Sequence, residues 1–149
     1  MAPRILAIDI GTSSIKVGVI SADGRLLAEH RTTLAGAPQH PGQWSVEVWD
    51  AALRESLIAL GQEYPAYQSV DGIAISGNGP TVIPVDAAGD ALLPGLLWFD
   101  SRGTWKPHTK SFYLPKIRWL ADNYPQTYEK AAQLFSCPEY FAYRFTGEA

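Results

Sequence analysis

Cysteine and charge are both scarce in this sequence. There is one cysteine, Cys137, in 149 residues, and only 18% of positions are charged. A lone thiol excludes an intrachain disulfide framework and a cysteine-rich zinc site. Lysine plus arginine number 12 against 15 for aspartate plus glutamate, a net charge of −3, so nothing drives the chain electrostatically towards nucleic acid or an anionic membrane. No apolar run nears the roughly 18–20 residues that a membrane-spanning helix needs. Residues 1–10 do not read as a secretory signal, because Asp9 interrupts the apolar stretch. A reducing cytoplasm is the default expectation. His30, His40 and His108 are scattered without metal-ligand spacing and read as surface residues. What the chain does have is apolar content, 46% of its residues. That composition excludes a disordered chain, a coiled coil and a collagen-like fibre. The length suits one domain with a real core and is too short for two ordinary ones.

Residues 5–10 form a near-continuous apolar run, the pattern of a strand covered on both faces. Gly11-Thr12-Ser13-Ser14 breaks it. Ile15, Val17 and Val19 then recur with period two, Asp23-Gly24 marks a hairpin turn, and residues 26–32 return as a third strand. Residues 36–44 are a loop rich in proline and glycine. Ser45 as N-cap, with Val46, Trp49, Leu53, Leu57 and Leu60 on one face, predicts a helix that Gly61 and Pro65 can stop. Trp44 and Trp49 are expected to pack it. Residues 72–76 read as a short strand and Gly77-Asn78-Gly79-Pro80 as a turn. Residues 81–85 and 92–99 read as extended pieces that Pro84 and Pro94 mark as edges. The last third is helical. Pro115 opens a helix whose stripe of Leu114, Ile117, Leu120, Ala121 and Tyr124 is expected in the core, and Pro125 opens another through residue 132. Ser136-Cys137-Pro138-Glu139 is a capping box, starting a helix with Phe141 and Phe145 on one face and Thr146-Gly147 at its end. A meander followed by a helix crossover into a parallel strand gives a mixed α/β sheet.

Asp9 is the residue with most chemical content. At the end of an apolar strand, a buried bare carboxylate is costly unless it is paired or binds a cation. Gly11 permits a tight turn and close backbone approach. The amides that follow, and the hydroxyls of Thr12, Ser13 and Ser14, can donate to phosphate oxygens, and Lys16 can add a point charge. A carboxylate beside such a nest suits a Mg²⁺–nucleotide. An ordinary polar hairpin turn, with Asp9 capping it, accounts for the same residues equally well. No Gly-Lys-Ser/Thr follows, so this is no Walker A loop. Gly77-Asn78-Gly79, with Asp100 further on, begins like a dinucleotide fingerprint, but Pro80 opens an extended segment and Val82 replaces the third glycine. Cys137, at a helix start, reads as a structural thiol.

The segment Ile8-Asp9-Ile10-Gly11-Thr12-Ser13-Ser14-Ile15-Lys16 resembles the first phosphate motif of the FGGY carbohydrate kinases, within the actin-like ATPase superfamily. Gly72-Ile73-Ala74-Ile75-Ser76-Gly77 falls where that family has its sugar-contact loop. Leu97-Trp98-Phe99-Asp100-Ser101-Arg102 resembles its Trp-x-Asp-x-Arg segment. Residues 138–148 resemble its helix ending in Leu-Thr-Gly-Glu. Order and spacing agree across essentially the whole chain.

The resemblance implies an actin-like (ribonuclease H-like) fold: a mixed sheet opening with a three-stranded antiparallel meander, with helices packed on it. It also implies ATP-dependent, Mg²⁺-assisted phosphorylation of a sugar or polyol hydroxyl. Asp9 would organise the metal, and Gly11, Thr12, Ser13, Ser14 and Lys16 would contact the nucleotide. Asn78, Gly79, Pro80, Trp98, Asp100 and Arg102 would border the sugar. Trp98 reads either as a sugar wall or as core, and Asp100 with Arg102 either as ligand contacts or as a structural ion pair.

Family members are much longer, so residues 1–149 are expected to be the N-terminal part of the first actin-like domain. The aspartate base and the second domain would lie beyond Ala149, and this length alone is expected to be inactive. The sugar loop departs from the family. Xylulose kinases usually read Gly-Gln-Met-His-Gly there, against Gly77-Asn78-Gly79-Pro80-Thr81 here, and the Arg-Glu pair of glycerol kinases is missing, which argues against glycerol; overall likeness to the xylulose-kinase subgroup makes xylulose or a similar ketopentose the first guess. A homodimer of the full-length form is among the expectations. The alternative class is a non-catalytic, truncated actin-like module that binds nucleotide or a partner. An actin or chaperone relative is disfavoured by the Trp98–Arg102 segment and by Thr146-Gly147-Glu148.

Overall fold

The order of elements is β1 (Arg4–Ile10), β2 (Ser14–Ser21), β3 (Leu26–Thr33), β4 (Gln43–Trp44), α1 (Val46–Glu63), a 3-10 turn (Pro65–Ser69), β5 (Gly72–Gly77), β6 (Ile83–Val85), β7 (Gly95–Leu96), α2 (Leu114–Asn123), α3 (Pro125–Lys130), β8 (Gln133–Phe135) and α4 (Cys137–Thr146). The computed structural model describes residues 2–38, 40–105 and 110–149, and His108 lies outside them. Two compact units divide the chain. The first is Met1–Gly36 with Glu47–Gly77; the second is Ala37–Val46 with Asn78–Ala149.

The first unit is built on a four-stranded sheet of order β3-β2-β1-β5. The meander forms as its alternation predicts, with β1 antiparallel to β2 and β2 antiparallel to β3. β5 returns after α1 to lie parallel to β1, the crossover that a parallel pair requires. In register, Leu6, Ile8 and Ile10 stand opposite Val19, Val17 and Ile15, and all six are buried. Thr32 of β3 lies in the same row as Ile15, and its hydroxyl accepts a 2.8 Å hydrogen bond from Ser56 Oγ of α1. That contact seats the buried Trp49, Leu53 and Leu60 stripe of α1 over this face. α1 runs through Gly61 to Glu63. An interior glycine costs a helix only about 1 kcal/mol relative to alanine, so Pro65 provides the stop.

One expectation for β1 is corrected here. The apolar run read as covered on both faces, with Asp9 buried, but Asp9 is exposed. Side chains alternate along a strand, and Asp9 shares its face with Ile5 and Ala7 rather than with the buried Leu6, Ile8 and Ile10.

The second unit carries two short antiparallel pairs, β4–β7 and β6–β8, linked by a bridge from Val82 to Leu96. β4 falls in what reads as a loop, and the expected extended segment 92–99 reduces to β7. Strands of two or three residues are too short to display an alternation. Three further helices complete the unit. α4 has its capping box, with Ser136 N–H donating to Glu139 Oε2 at 2.8 Å, and ends on Gly147 at φ 74°, a left-handed conformation that glycine adopts without strain.

The predicted core stripe of α2 is met at Leu120 but not at its ends. In α2 the buried residues are Lys116 and Leu120, while Leu114 and Tyr124 are exposed. In α4 Cys137, Tyr140 and Phe141 are buried and Phe145 is exposed. Helical spacing says which residues share a face, but not which stripe meets a neighbour.

Candidate functional site

The first unit presents the turn between β1 and β2. Gly11 N–H donates to Ser14 O at 2.9 Å, leaving Thr12 and Ser13 as a two-residue tip. A Cβ on Gly11 would lie 2.8 Å from that carbonyl oxygen, so the turn closes this tightly only because the residue is glycine. Leu34 N–H donates to Ser13 O at 2.9 Å and Arg31 Nε donates to Ser14 Oγ at 3.0 Å. Ser14 is buried and Ser13 is exposed. The three hydroxyls therefore divide. Ser14 tethers the turn to β3, while Thr12 and Ser13 form its outer end.

Cross-strand registers place Ser76, Asp9, Lys16 and Arg31 in one row across β5, β1, β2 and β3. All four are exposed, and neither Asp9 nor Lys16 is drawn into an ion pair among the described residues. An open depression of about 300 Å³ on this face is lined by Asp9, Lys16, Gly18, Glu29 and Ser76, among others. Arg31 escaped the sequence reading. Its signal was the Asp23-Gly24 hairpin, whose register brings Arg31 beside Lys16.

A divalent cation fits this donor set in one way. Among the described residues no three His, Cys, Asp or Glu side chains converge. A cation at Asp9 would therefore have fewer than three such protein ligands and take the rest from water and phosphate, the habit of Mg²⁺ in nucleotide sites.

The second unit presents the residues expected at the sugar. Asn78 is buried, and its carbonyl accepts from the Thr81 hydroxyl at 2.9 Å. Gly79 is exposed, and a Cβ built there meets nothing within 4 Å. Pro80 is half-buried. Trp98 and Phe99 are exposed and stand edge to face, ring centroids 5.2 Å apart.

Asp100 and Arg102 are bound to each other. The Asp100 side chain is only 2% exposed. Its Oδ1 accepts from Arg102 N and Nε, both at 3.0 Å, and its Oδ2 from Nε at 3.1 Å and from Nη2. This is the forked geometry that guanidinium offers and ammonium does not. Arg102 Nη1 reaches Gln43 Oε1 at 3.4 Å, and the guanidinium carbon lies 4.1 Å from the centroid of the Trp119 ring.

Two glycines let the backbone close in. A Cβ on Gly42 would lie 2.9 Å from the Asp100 side chain, and one on Gly103 would lie 2.4 Å from Pro115 O. Burial alone would raise the Asp100 carboxyl. Hydrogen bonds from the Arg102 side chain and backbone, with the fields of Arg102 and His40, hold it below the ordinary carboxylate value. Lys116, buried on α2, donates to Phe112 O. Burial pushes its ammonium below the usual lysine value, and Asp100 pulls the other way. Neither Lys116 nor Trp119 stood out in the sequence, where helical spacing assigned the buried stripe to their neighbours.

Solved structures share this architecture. A xyloylose kinase from Brucella ovis superimposes with a TM-score of 0.87 at 23% identity, over 97% of this chain and 34% of that one. A glycerol kinase from Plasmodium falciparum superimposes with a TM-score of 0.75 at 19% identity, over 98% and 35%. The fold is that of the actin-like ATPases. The sequence model of the N-terminal domain of the FGGY family of carbohydrate kinases matches residues 4–110, and this chain belongs to that family. A xylulose kinase from Staphylococcus xylosus is 25% identical over 164 aligned residues, covering 96% of this chain and 34% of the relative. The chain thus spans about a third of the length of the curated relatives it matches.

Proposed function

We propose that this chain is the N-terminal part of the first domain of an ATP-dependent kinase acting on a sugar or polyol hydroxyl, with a xylulose-like ketopentose as the first substrate to test. One observation carries this reading: an exposed carboxylate, Asp9, ends a strand beside a glycine-tightened turn and shares a row with two cations, Lys16 and Arg31.

Asp9 would hold Mg²⁺ through water, and Thr12 and Ser13 would receive phosphate oxygens. Gly11 gives the turn its close approach, Ser14 and Arg31 fix its shape, and Lys16 offsets phosphate charge. When bound, Mg²⁺–ATP supplies the phosphoryl group and neutralises the charge that develops on it. Asn78, Gly79, Pro80 and Trp98 would border the sugar, with Trp98 offering a flat apolar face to its C–H surface. Asp100 and Arg102 belong to the same wall. An aspartate elsewhere in the complete protein would take the hydroxyl proton. Closure of two domains would exclude water from the transfer.

The test uses protein expressed from the complete reading frame. ADP release is measured with Mg²⁺–ATP and a panel of ketopentoses, aldoses and polyols. Turnover with at least one sugar, ketopentoses first, is the expected result. Release no faster than the sugar-free background across the panel would remove the kinase reading and leave a nucleotide- or partner-binding module.

A further inference from the structure

Trp98 and Phe99 project into solvent, so burial does not hold them. Their constraint comes from the two ends of a turn. Leu97 is buried, and its N–H donates to Gly42 O at 2.8 Å. Asp100 N–H donates back to Leu97 O at 3.0 Å, which makes Trp98 and Phe99 the two central residues. One leg is anchored in the core. The other is anchored through Asp100, and among the described residues the hydrogen bonds to the Asp100 carboxylate come from Arg102. Arg102 in turn lies against Trp119, with Gln43 at its edge.

We propose that Trp119 is a positioning residue for the sugar wall. Its ring holds the Arg102 guanidinium, Arg102 holds Asp100, and the locked pair sets the angle at which Trp98 is presented. Asp100 and Arg102 then serve the sugar through geometry rather than through contact. The carboxylate is enclosed and its acceptor positions are taken. The guanidinium spends its fork on that carboxylate and its face on an aromatic ring. A cation stacked on tryptophan is attracted by the ring quadrupole, more strongly when water is kept away. Arg102 is 22% exposed at its side chain, so much of that attraction is retained. The functional consequence rests on the kinase reading above; the local geometry does not.

Two variants and two measurements separate these. Trp119→Leu keeps an apolar helix former and removes the π face, whereas Trp119→Phe keeps a π face. In the full-length protein, Trp119→Leu is expected to raise the sugar KM about tenfold, the weight of a partly desolvated cation–π contact, and to leave the ATP KM unchanged. Trp119→Phe restores most of the sugar KM. Hydrogen exchange across residues 97–103 is the second readout. The leucine variant speeds exchange of the Asp100 amide about tenfold, leaves β1 and β2 amides at their wild-type rates, and phenylalanine reverses the change.

Unaltered exchange at Asp100 overturns the inference whether or not the protein phosphorylates a sugar. Faster exchange with an unchanged sugar KM also overturns it, as does a rise in both KM values together. If wild-type protein turns over no sugar, the kinase reading fails by itself and the exchange result still decides whether Trp119 holds the turn. Trp119→Met replaces the leucine variant if the latter does not fold.

Discussion

Asp9 and Lys16 stand directly opposite each other in the β1–β2 register, both exposed on the face of the sheet away from α1. An exposed carboxylate in this position holds up no core, so removing it should separate chemistry from folding. Asp9→Ala in the complete protein is expected to lower turnover by at least about a hundredfold, the scale for losing one electrostatic element of a transfer site. Circular dichroism and the thermal midpoint should match wild type. Undiminished turnover would place the metal elsewhere.

Two glycines make a matched pair. At Gly11 an added Cβ would press on Ser14 O, a backbone atom that cannot swing aside. Gly11→Ala is therefore expected to cost about 1–3 kcal/mol in urea unfolding, the range for overpacking, and to raise the ATP KM. At Gly79 the same methyl meets nothing. Gly79→Ala should leave the unfolding midpoint in place and raise only the sugar KM. Equal stabilities for the two variants would contradict the turn geometry.

Asp100 gives a pH dependence of definite sign. Its folded carboxyl lies below the ordinary value, so the unfolded chain binds more protons in the interval between the two. The stability it contributes is complete above the ordinary aspartate range near pH ~4 and is lost as pH falls through the folded value. The stability difference between wild type and Asp100→Asn, followed by denaturant titration, should be constant from pH 5 to 8 and shrink below pH ~4. Lys116 is also lowered, and for a base the depressed folded value means that stability rises with pH towards the ordinary lysine range near pH ~10. Lys116→Met should abolish that alkaline rise. A wild-type difference curve that widens towards acid pH would reverse the Asp100 assignment.

The buried Ser56–Thr32 hydrogen bond is the polar join between α1 and the sheet. Ser56→Ala leaves the Thr32 hydroxyl buried without this partner, and Thr32→Val does the same to Ser56. Each single change should cost about 1–3 kcal/mol. The double variant should cost less than their sum, with a coupling of about 1 kcal/mol. Strict additivity in the double-mutant cycle would mean that water replaces the lost partner.

The local grammar of the chain was readable residue by residue. Alternation at Ile15, Val17 and Val19, the Asp23-Gly24 turn and the capping box at Ser136 each involve neighbours within a few positions. Their steric and hydrogen-bonding consequences hold largely wherever the segment lies. The same holds for Gly11, whose tight turn is closed by a partner three residues away. β8, by contrast, is three residues long and is stabilised by pairing with β6 some fifty positions earlier, so no local pattern announces it.

Primary structure thus decides the meander, the crossover order, the helix ends and the glycine-tightened turn at Gly11, because backbone sterics and short-range hydrogen bonds act between residues close along the chain. Only the folded molecule decides that Asp9 faces outward, that α2 buries Lys116 beside Leu120 while Leu114 and Tyr124 stay exposed, and that Asp100, Arg102, Gln43 and Trp119 meet. These outcomes depend on which surfaces long-range packing brings together and how far water is expelled from them, a quantity no single stretch of sequence contains.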